Sequence, residues 1–156
     1  QNPESAFDNA FRQGAWGGAS LSFLNRVRLS SDLRRASGGS AGDATSVTHS
    51  ASVSRITALQ LGFHARSTAY AGTTSTGSLQ SGSVELNPFG SARLEMTLGR
   101  RESQHPGEAA PARLNWTGVD ADIGLGRAVY LMLSASREAG VNERTSQLFV
   151  TLSYRF

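Results

Sequence analysis

The last nine residues, Leu148 to Phe156 (LFVTLSYRF), show the most regular pattern of apolar and polar positions in the chain. Large apolar side chains occupy every second position from Leu148, and most of the intervening positions are polar. A β-strand has a side-chain period of two, so the segment predicts a strand with one apolar and one mostly polar face. The apolar positions are Leu148, Val150, Leu152, Tyr154 and Phe156.

The same alternation recurs along the chain and predicts eight strands. They span about residues 19–30, 45–54, 58–71, 78–87, 92–101, 113–123, 128–136 and 145–156. Leu79 is out of phase with its strand, and the phase also shifts between Trp116 and Val119. The first feature predicts a β-bulge or a late start of the strand, and the second predicts a β-bulge near Gly118. Residues 55–57 contain no turn-forming residue, so residues 45–70 form either two strands or one very long strand.

The predicted connections alternate in length. Long hydrophilic loops follow the first, fifth and seventh strands, at residues 31–43, 102–111 and 137–144, and short turns follow the second, fourth and sixth. The connection after the third strand, at residues 72–77, is intermediate in length. Such alternation is typical of outer-membrane barrels, which have short periplasmic turns and long outer loops. A soluble β-sandwich gives the same residue alternation and is the alternative fold. The polar second face, the alternating connections and the terminal aromatic residue favour the barrel.

The C-terminal strand resembles the last strand of Gram-negative outer-membrane β-barrel proteins, which have alternating hydrophobic residues and a terminal Phe. The resemblance implies a transmembrane antiparallel up-and-down β-barrel of about eight strands in the bacterial outer membrane, with both termini in the periplasm. It also implies that the barrel-assembly machinery recognises the five apolar positions of this strand. Outer-membrane lipids and lipopolysaccharide are the further expected partners.

Residues 1–16 differ from the rest of the chain. Phe7 and Phe11 are four residues apart, as on one side of a short helix, with Ser5 as a possible cap and Gly14 as its end. This start is similar to that of porin-like proteins, in which a short helix precedes the first strand. We therefore expect residues 1–16 to form a periplasmic or plug segment and residues 17–156 to form the barrel. A start at Gln1 is also expected of a mature chain whose signal peptide has been removed.

Composition excludes several classes of protein. The 156 residues suffice for one domain, and the absence of cysteine excludes disulfides and thiol chemistry. No apolar run approaches the roughly 20 residues of a membrane-spanning helix. The net charge of +3, without a basic run interleaved with aromatic residues, argues against nucleic-acid binding.

Charged residues fall mainly on the polar face of the predicted strands, which a barrel would turn towards its lumen. The predicted lumen residues are Arg26, Arg28, His64, Arg66, Glu85, Arg93, Glu95, Arg101, Asp120, Asp122 and Arg155. An eight-stranded barrel is just wide enough for side chains to fill, so these charges predict a salt-bridged interior and a structural or interaction role. The alternative is a pore for small anionic or polar solutes, as part of a larger barrel or an oligomer.

Catalysis and metal binding are not expected. His49 and Ser50 are sequence neighbours and face opposite sides of a strand, and His64 has no serine two residues away on its own face. Asp120 and Asp122 share a face but provide fewer oxygen atoms than Ca²⁺ requires. We therefore predict no enzymatic activity, no metal and no cofactor.

Two arginines are candidates for contact with lipid. Arg100 and Arg113 are predicted at the outer ends of the fifth and sixth strands, facing or close to facing the membrane. A guanidinium group forms paired hydrogen bonds to phosphate. The hypothesis is that both contact the phosphates of lipopolysaccharide.

Overall fold

The computed structural model describes residues 13–37, 42–56, 60–126, 128–141 and 143–154. Within these ranges the chain forms a single antiparallel sheet of nine strands in which each strand pairs with the next along the sequence. The strands are β1 (Gln13–Phe23), β2 (Val27–Ser37), β3 (Ala44–Ile56), β4 (Leu61–Gly72), β5 (Thr76–Phe89), β6 (Ala92–Gln104), β7 (Ala112–Leu125), β8 (Val129–Gly140) and β9 (Arg144–Tyr154). The predicted all-β, antiparallel, up-and-down arrangement is confirmed.

The predicted count of eight strands is wrong, because the first predicted strand is a hairpin. The chain reverses at Leu24–Arg26, where the Arg26 backbone N–H donates a hydrogen bond to the Phe23 carbonyl oxygen at 3.0 Å. Leu24 and Asn25 adopt left-handed backbone conformations, with φ of 49° and 52°. Arg26 therefore lies in a turn rather than in a strand. β2 then includes residues 31–37, which were predicted to belong to a loop.

Other boundaries also differ from the predictions. Residues 45–70 form two strands, since β3 ends at Ile56 and β4 begins at Leu61. The pairing is continuous at Leu79 and at Gly118, so the predicted bulges there are wrong. The register instead shifts between Val53 and Ile56 in β3 and between Leu86 and Phe89 in β5. β8 continues to Gly140 and β9 begins at Arg144, so residues 137–140 of the last predicted loop belong to a strand.

The N-terminal segment is described only in its last residues. β1 begins at Gln13, so residues 13–16 belong to the sheet rather than to a separate segment. Residues 1–12, where the short helix was predicted, lie outside the described residues. No helix long and apolar enough to cross a bilayer occurs among the residues that the structure describes.

The strand register produces one apolar and one polar face. Side chains of directly paired residues point to the same side of a sheet. One row across all nine strands is entirely apolar and defines the apolar face: Phe23, Val27, Val53, Phe63, Val84, Met96, Val119, Ala135 and Leu148. The sequence neighbours of these residues point to the opposite side of the sheet. One paired row of them defines the polar face: Ser22, Arg28, Ser52, His64, Ser83, Thr97, Gly118, Ser136 and Gln147.

The sheet is a single layer. The accessible surface of the chain is 11302 Å², against about 7,500 Å² for a compact monomer of this mass. Among the described residues, only Ala36, Ala44 and Ser46 are buried. β1 and β9 lie at opposite ends of the strand order and do not pair with each other, so the described sheet is open. The apolar face consequently has no protein layer of the described chain packed against it.

Candidate functional site

The apolar face forms a continuous exposed belt. Large side chains along it remain open from the first strand to the last: Leu21 is 56 % exposed, Met96 55 % and Leu148 71 %. On β9 the residues Leu148, Val150, Leu152 and Tyr154 occupy successive positions of this face, all more than half exposed. Six residue rises separate Leu148 from Tyr154, which corresponds to roughly 20 Å at about 3.4 Å per residue. The structure thus brings four of the five predicted assembly-signal residues together at an open sheet edge. The fifth, Phe156, lies outside the described residues.

Beyond the apolar belt, the same face becomes polar towards the strand ends that residues 105–111 connect. Arg100 and Glu102 are same-face neighbours on β6, and Arg113 of β7 pairs directly with Glu102. The Arg113 Nε atom lies 2.8 Å from Glu102 Oε1, and Arg100 Nη2 donates to the same oxygen. Both predicted lipid-contacting arginines therefore lie on the apolar side of the sheet. They share one carboxylate and carry a net charge of +1 together with it.

The polar face holds nine of the eleven residues that were predicted to line a lumen. Strand pairing and alternation place them on one side of the sheet: Arg28, His64, Arg66, Glu85, Arg93, Glu95, Arg101, Asp120 and Asp122. Arg26 lies in the β1–β2 turn, and Arg155 lies outside the described residues. The nine residues extend from β2 to β7, so they cover most of the width of the sheet.

Three acidic residues of the polar face lie around the guanidinium group of Arg93. Arg93 Nε lies 3.0 Å from Glu85 Oε1, and Arg93 Nη2 lies 2.7 Å from Glu95 Oε2. A weaker contact of 4.0 Å joins Arg93 Nη1 to Asp122 Oδ2. Asp120 pairs in register with Glu95. We call these five residues the Arg93 cluster; it carries more negative than positive charge.

Small hydroxyl side chains occupy the polar face between β2 and β4. The hydroxyl groups of Ser30 and Ser50 are 2.7 Å apart, and those of Thr48 and Thr68 are 3.0 Å apart. Both pairs lie directly opposite each other on adjacent strands. Cross-strand hydroxyl pairs contribute modestly to sheet stability and keep the face wettable.

Trp116 lies on the polar face, close to the position where the sequence predicted a bulge near Gly118. Its indole ring lies directly over Gly99, its cross-strand partner, in the space that a Cβ atom of residue 99 would occupy. Tyr70 covers its partner Gly77 in the same way. In both cases an aromatic ring covers a strand glycine and compensates for its missing side chain. The sequence signal for this placement was that Leu114, Trp116 and Gly118 are spaced two residues apart and therefore share one face of a strand.

His49 and Ser50, neighbours in the sequence, are separated by the sheet. His49 lies on the apolar face and Ser50 on the polar face, on opposite sides of β3. No group of three or more potential metal-ligating side chains occurs within the described part of the chain.

The connection between β6 and β7 has its own hydrogen bonds. The His105 backbone N–H donates to Glu108 Oε2 at 3.0 Å, and Gln104 Nε2 donates to the Glu108 carbonyl oxygen at 3.1 Å. The backbone hydrogen bond from His105 is the main cause that lowers the pKa of Glu108, and His105 Nδ1, 3.4 Å from the same oxygen, adds to it. The loop is thus ordered around an ionised carboxylate.

In comparisons with known proteins, the chain matches no protein-family model and no curated protein sequence. The two faces of the sheet and the side chains at its ends are therefore the features from which a function can be inferred.

Proposed function

We propose that this chain forms the wall, or part of the wall, of a β-barrel in a Gram-negative outer membrane, with its apolar face against lipid and its polar face lining an aqueous channel. The observation that carries the proposal is the row of nine apolar residues that crosses every strand, with no covering layer. Full burial of one large apolar side chain contributes about 1.5–3 kcal/mol, so an uncovered face of this width requires an apolar environment.

Lipid fits this face better than a second protein sheet does. The apolar belt extends from one open edge to the other, and it ends at polar residues such as Arg100 and Arg113 on the same face. Outer-membrane barrels have an apolar band about 25 Å tall, and β9 alone presents roughly 20 Å of one. A belt that ends at charged residues on one side matches a hydrocarbon layer that ends at phosphate headgroups. Lipopolysaccharide and, for the β9 strand, the barrel-assembly machinery are the proposed partners.

A channel is favoured over a filled lumen by the width of the sheet. Eight strands enclose an interior that side chains just fill, whereas wider barrels hold water. The described residues alone contribute nine strands, and among them β1 and β9 each pair with one strand only. Its polar face is mostly Ser, Thr and Gly at mid-height, and the Arg93 side chain is 48 % exposed. A structural role with a filled lumen is the second candidate, supported by the ion pairs of the Arg93 cluster.

Two neighbouring residues on opposite faces provide the test. Met96 lies on the apolar face and Thr97 on the polar face. In a bilayer, Met96→Arg should lower the free energy of unfolding by about 2–4 kcal/mol, the value for Arg on the lipid face at mid-depth. Thr97→Arg, the matched control, should leave the free energy within about 1 kcal/mol and change the conductance in planar bilayers instead.

The measurement is urea-dependent refolding into phosphatidylcholine vesicles, followed by heat-modifiable gel migration. The proposal requires that the wild-type chain need an amphiphile to stay monodisperse. A chain that is monodisperse in plain buffer, or equal losses for both variants, would contradict it. A folded membrane-inserted protein without conductance would leave the filled-lumen role instead.

A further inference from the structure

A shallow apolar depression lies in the middle of the apolar face. Its volume is about 340 Å³, at the lower end of the roughly 300–1,000 Å³ typical of small-molecule sites. The floor consists of small residues in one row, where Ala51 pairs with Ala65 and Ala65 pairs with Gly82. Phe63, Met96 and other larger side chains of the adjacent row form one wall, and Leu98 closes the row beside Gly82.

The other side of the depression borders the polar end of the same face. On β6, Arg100 follows Leu98 on the same face, roughly 7 Å along the strand. Gln80 pairs directly with Arg100, and Glu102 and Arg113 lie one row further on. The side chains of Arg100 and Arg113 are 47 % and 57 % exposed. An apolar depression and two accessible guanidinium groups are therefore consecutive features of one surface.

Charge complementarity identifies the class of molecule that fits both features. Glu102 is 30 % exposed and balances only one of the two arginines. A phosphate group that bridges Arg100 and Arg113 would satisfy the remaining charge through charge-assisted hydrogen bonds. An acyl chain attached to that phosphate would extend over Leu98 into the depression. A neutral hydrocarbon would leave the arginines unused, and an inorganic anion would leave the depression unfilled.

We propose that the depression over Gly82 and the Arg100–Glu102–Arg113 group together form a binding site for one anionic phospholipid, with its phosphate on the arginines and an acyl chain in the depression. The site rests on the proposed membrane location and adds a defined ligand position to it. The lipid would be held on the outside of the wall rather than in the channel.

Gly82 allows the depression to be filled without disturbing the backbone. A Cβ atom at residue 82 would approach no heavy atom closer than the His64 carbonyl oxygen at 3.7 Å, an ordinary contact. Gly118 has similar space, with the Ala135 carbonyl oxygen at 3.9 Å, and lies on the polar face. Gly82→Leu therefore removes the depression, and Gly118→Leu is its matched control on the opposite face.

The experiment measures lipid retention by native mass spectrometry of the full chain released from detergent micelles with added palmitoyl-oleoyl phosphatidylglycerol or phosphatidylcholine. The wild type should retain one phosphatidylglycerol in preference to phosphatidylcholine. Arg100→Gln with Arg113→Gln should weaken retention about tenfold, consistent with the loss of hydrogen bonds to a charged group. Gly82→Leu should also weaken it, and Gly118→Leu should leave it unchanged.

Glu102→Gln should have the opposite effect on lipid retention. It removes the competing carboxylate, so phosphatidylglycerol should bind more tightly than to the wild type. Equal retention of both lipids, or no response to Glu102→Gln, would overturn the site. If only the arginine variants had an effect, the cations would bind anions without the depression, which also overturns it. A wild-type chain that needs no detergent would overturn the membrane location itself, so the two failures are distinguishable.

Discussion

At the scale of single residues, the contact between Trp116 and Gly99 makes a glycine necessary in the middle of a strand. Any side chain at residue 99 would occupy the volume of the indole ring. Gly99→Val should therefore displace Trp116 and destabilise the sheet by about 1–3 kcal/mol, the range for overpacking, although valine favours strands intrinsically. The measurement is the urea midpoint for refolding into phosphatidylcholine vesicles.

Gly82→Ala is the control for the Gly99 substitution. Gly82 is also a mid-strand glycine, and an added Cβ atom there meets only an ordinary contact at 3.7 Å. Alanine at this position should be neutral or stabilising by about 0.5–1 kcal/mol, because it reduces the backbone freedom of the unfolded chain. Equal effects of the two substitutions on the urea midpoint would show that the position of the Trp116 ring does not require glycine at residue 99.

At the scale of elements, the β1–β2 turn places a leucine where the backbone disfavours it. Leu24 has a φ of 49° and a side chain that is 92 % exposed. A left-handed conformation costs an ordinary residue about 1–2 kcal/mol, and glycine adopts it freely. Leu24→Gly should therefore raise the free energy of unfolding by about 1 kcal/mol. Asn25→Gly should have a smaller effect, because asparagine already tolerates this region.

The β1–β2 turn also explains why the strand count was not predictable from alternation. Phe23 and Val27 pair across the turn on the same face. They are four residues apart, an even number, so the period of two continues unbroken through the reversal. Asn25 was the only turn-forming residue in the segment. Between β5 and β6, where the turn contains Gly90, the predicted strand ends at residues 87 and 92 lie within two residues of the observed ones.

The candidate site was predictable in its faces but not in its contacts. The alternation within each strand was enough to place Glu85, Arg93 and Glu95 on the polar face. The ion pairs among them depend on the register of β5 with β6, which the register shift between Leu86 and Phe89 determines. For the same reason, nothing in the sequence indicated that Arg100 and Arg113 share Glu102.

The β6–β7 loop provides a pH-dependent prediction. The folded loop lowers the pKa of Glu108 below its ordinary value of 4.5, mainly through the His105 backbone N–H. The contribution of Glu108 to loop order is therefore present above pH 4.5 and is lost as the pH falls through the lower, folded pKa. The amide chemical shift of His105, measured by NMR, should titrate in this acidic range. Glu108→Gln should abolish the titration, and an unchanged titration would contradict the contact.

At the scale of the whole molecule, the odd number of strands in the described sheet determines how a barrel can close. In an up-and-down sheet of nine strands, β1 and β9 run in the same direction. The expectation that both termini face the periplasm depended on an even count, and it loses that support. Direct pairing of β1 with β9 would be parallel, whereas bacterial outer-membrane barrels are antiparallel with an even number of strands. We therefore expect an odd number of further strands between the two edges.

The absence of cysteine makes this expectation directly testable. Ser22 of β1 and Gln147 of β9 lie at the two ends of the same polar row. With Ser22→Cys and Gln147→Cys combined, the folded protein in lipid should form no intramolecular disulfide, because such a bond requires Cα atoms within about 7 Å. The control is Ser136→Cys with Gln147→Cys, whose residues pair directly across β8 and β9. Efficient bonding in the control alone is the expected result, whereas equal bonding in both would establish a closed nine-stranded barrel with a parallel seam.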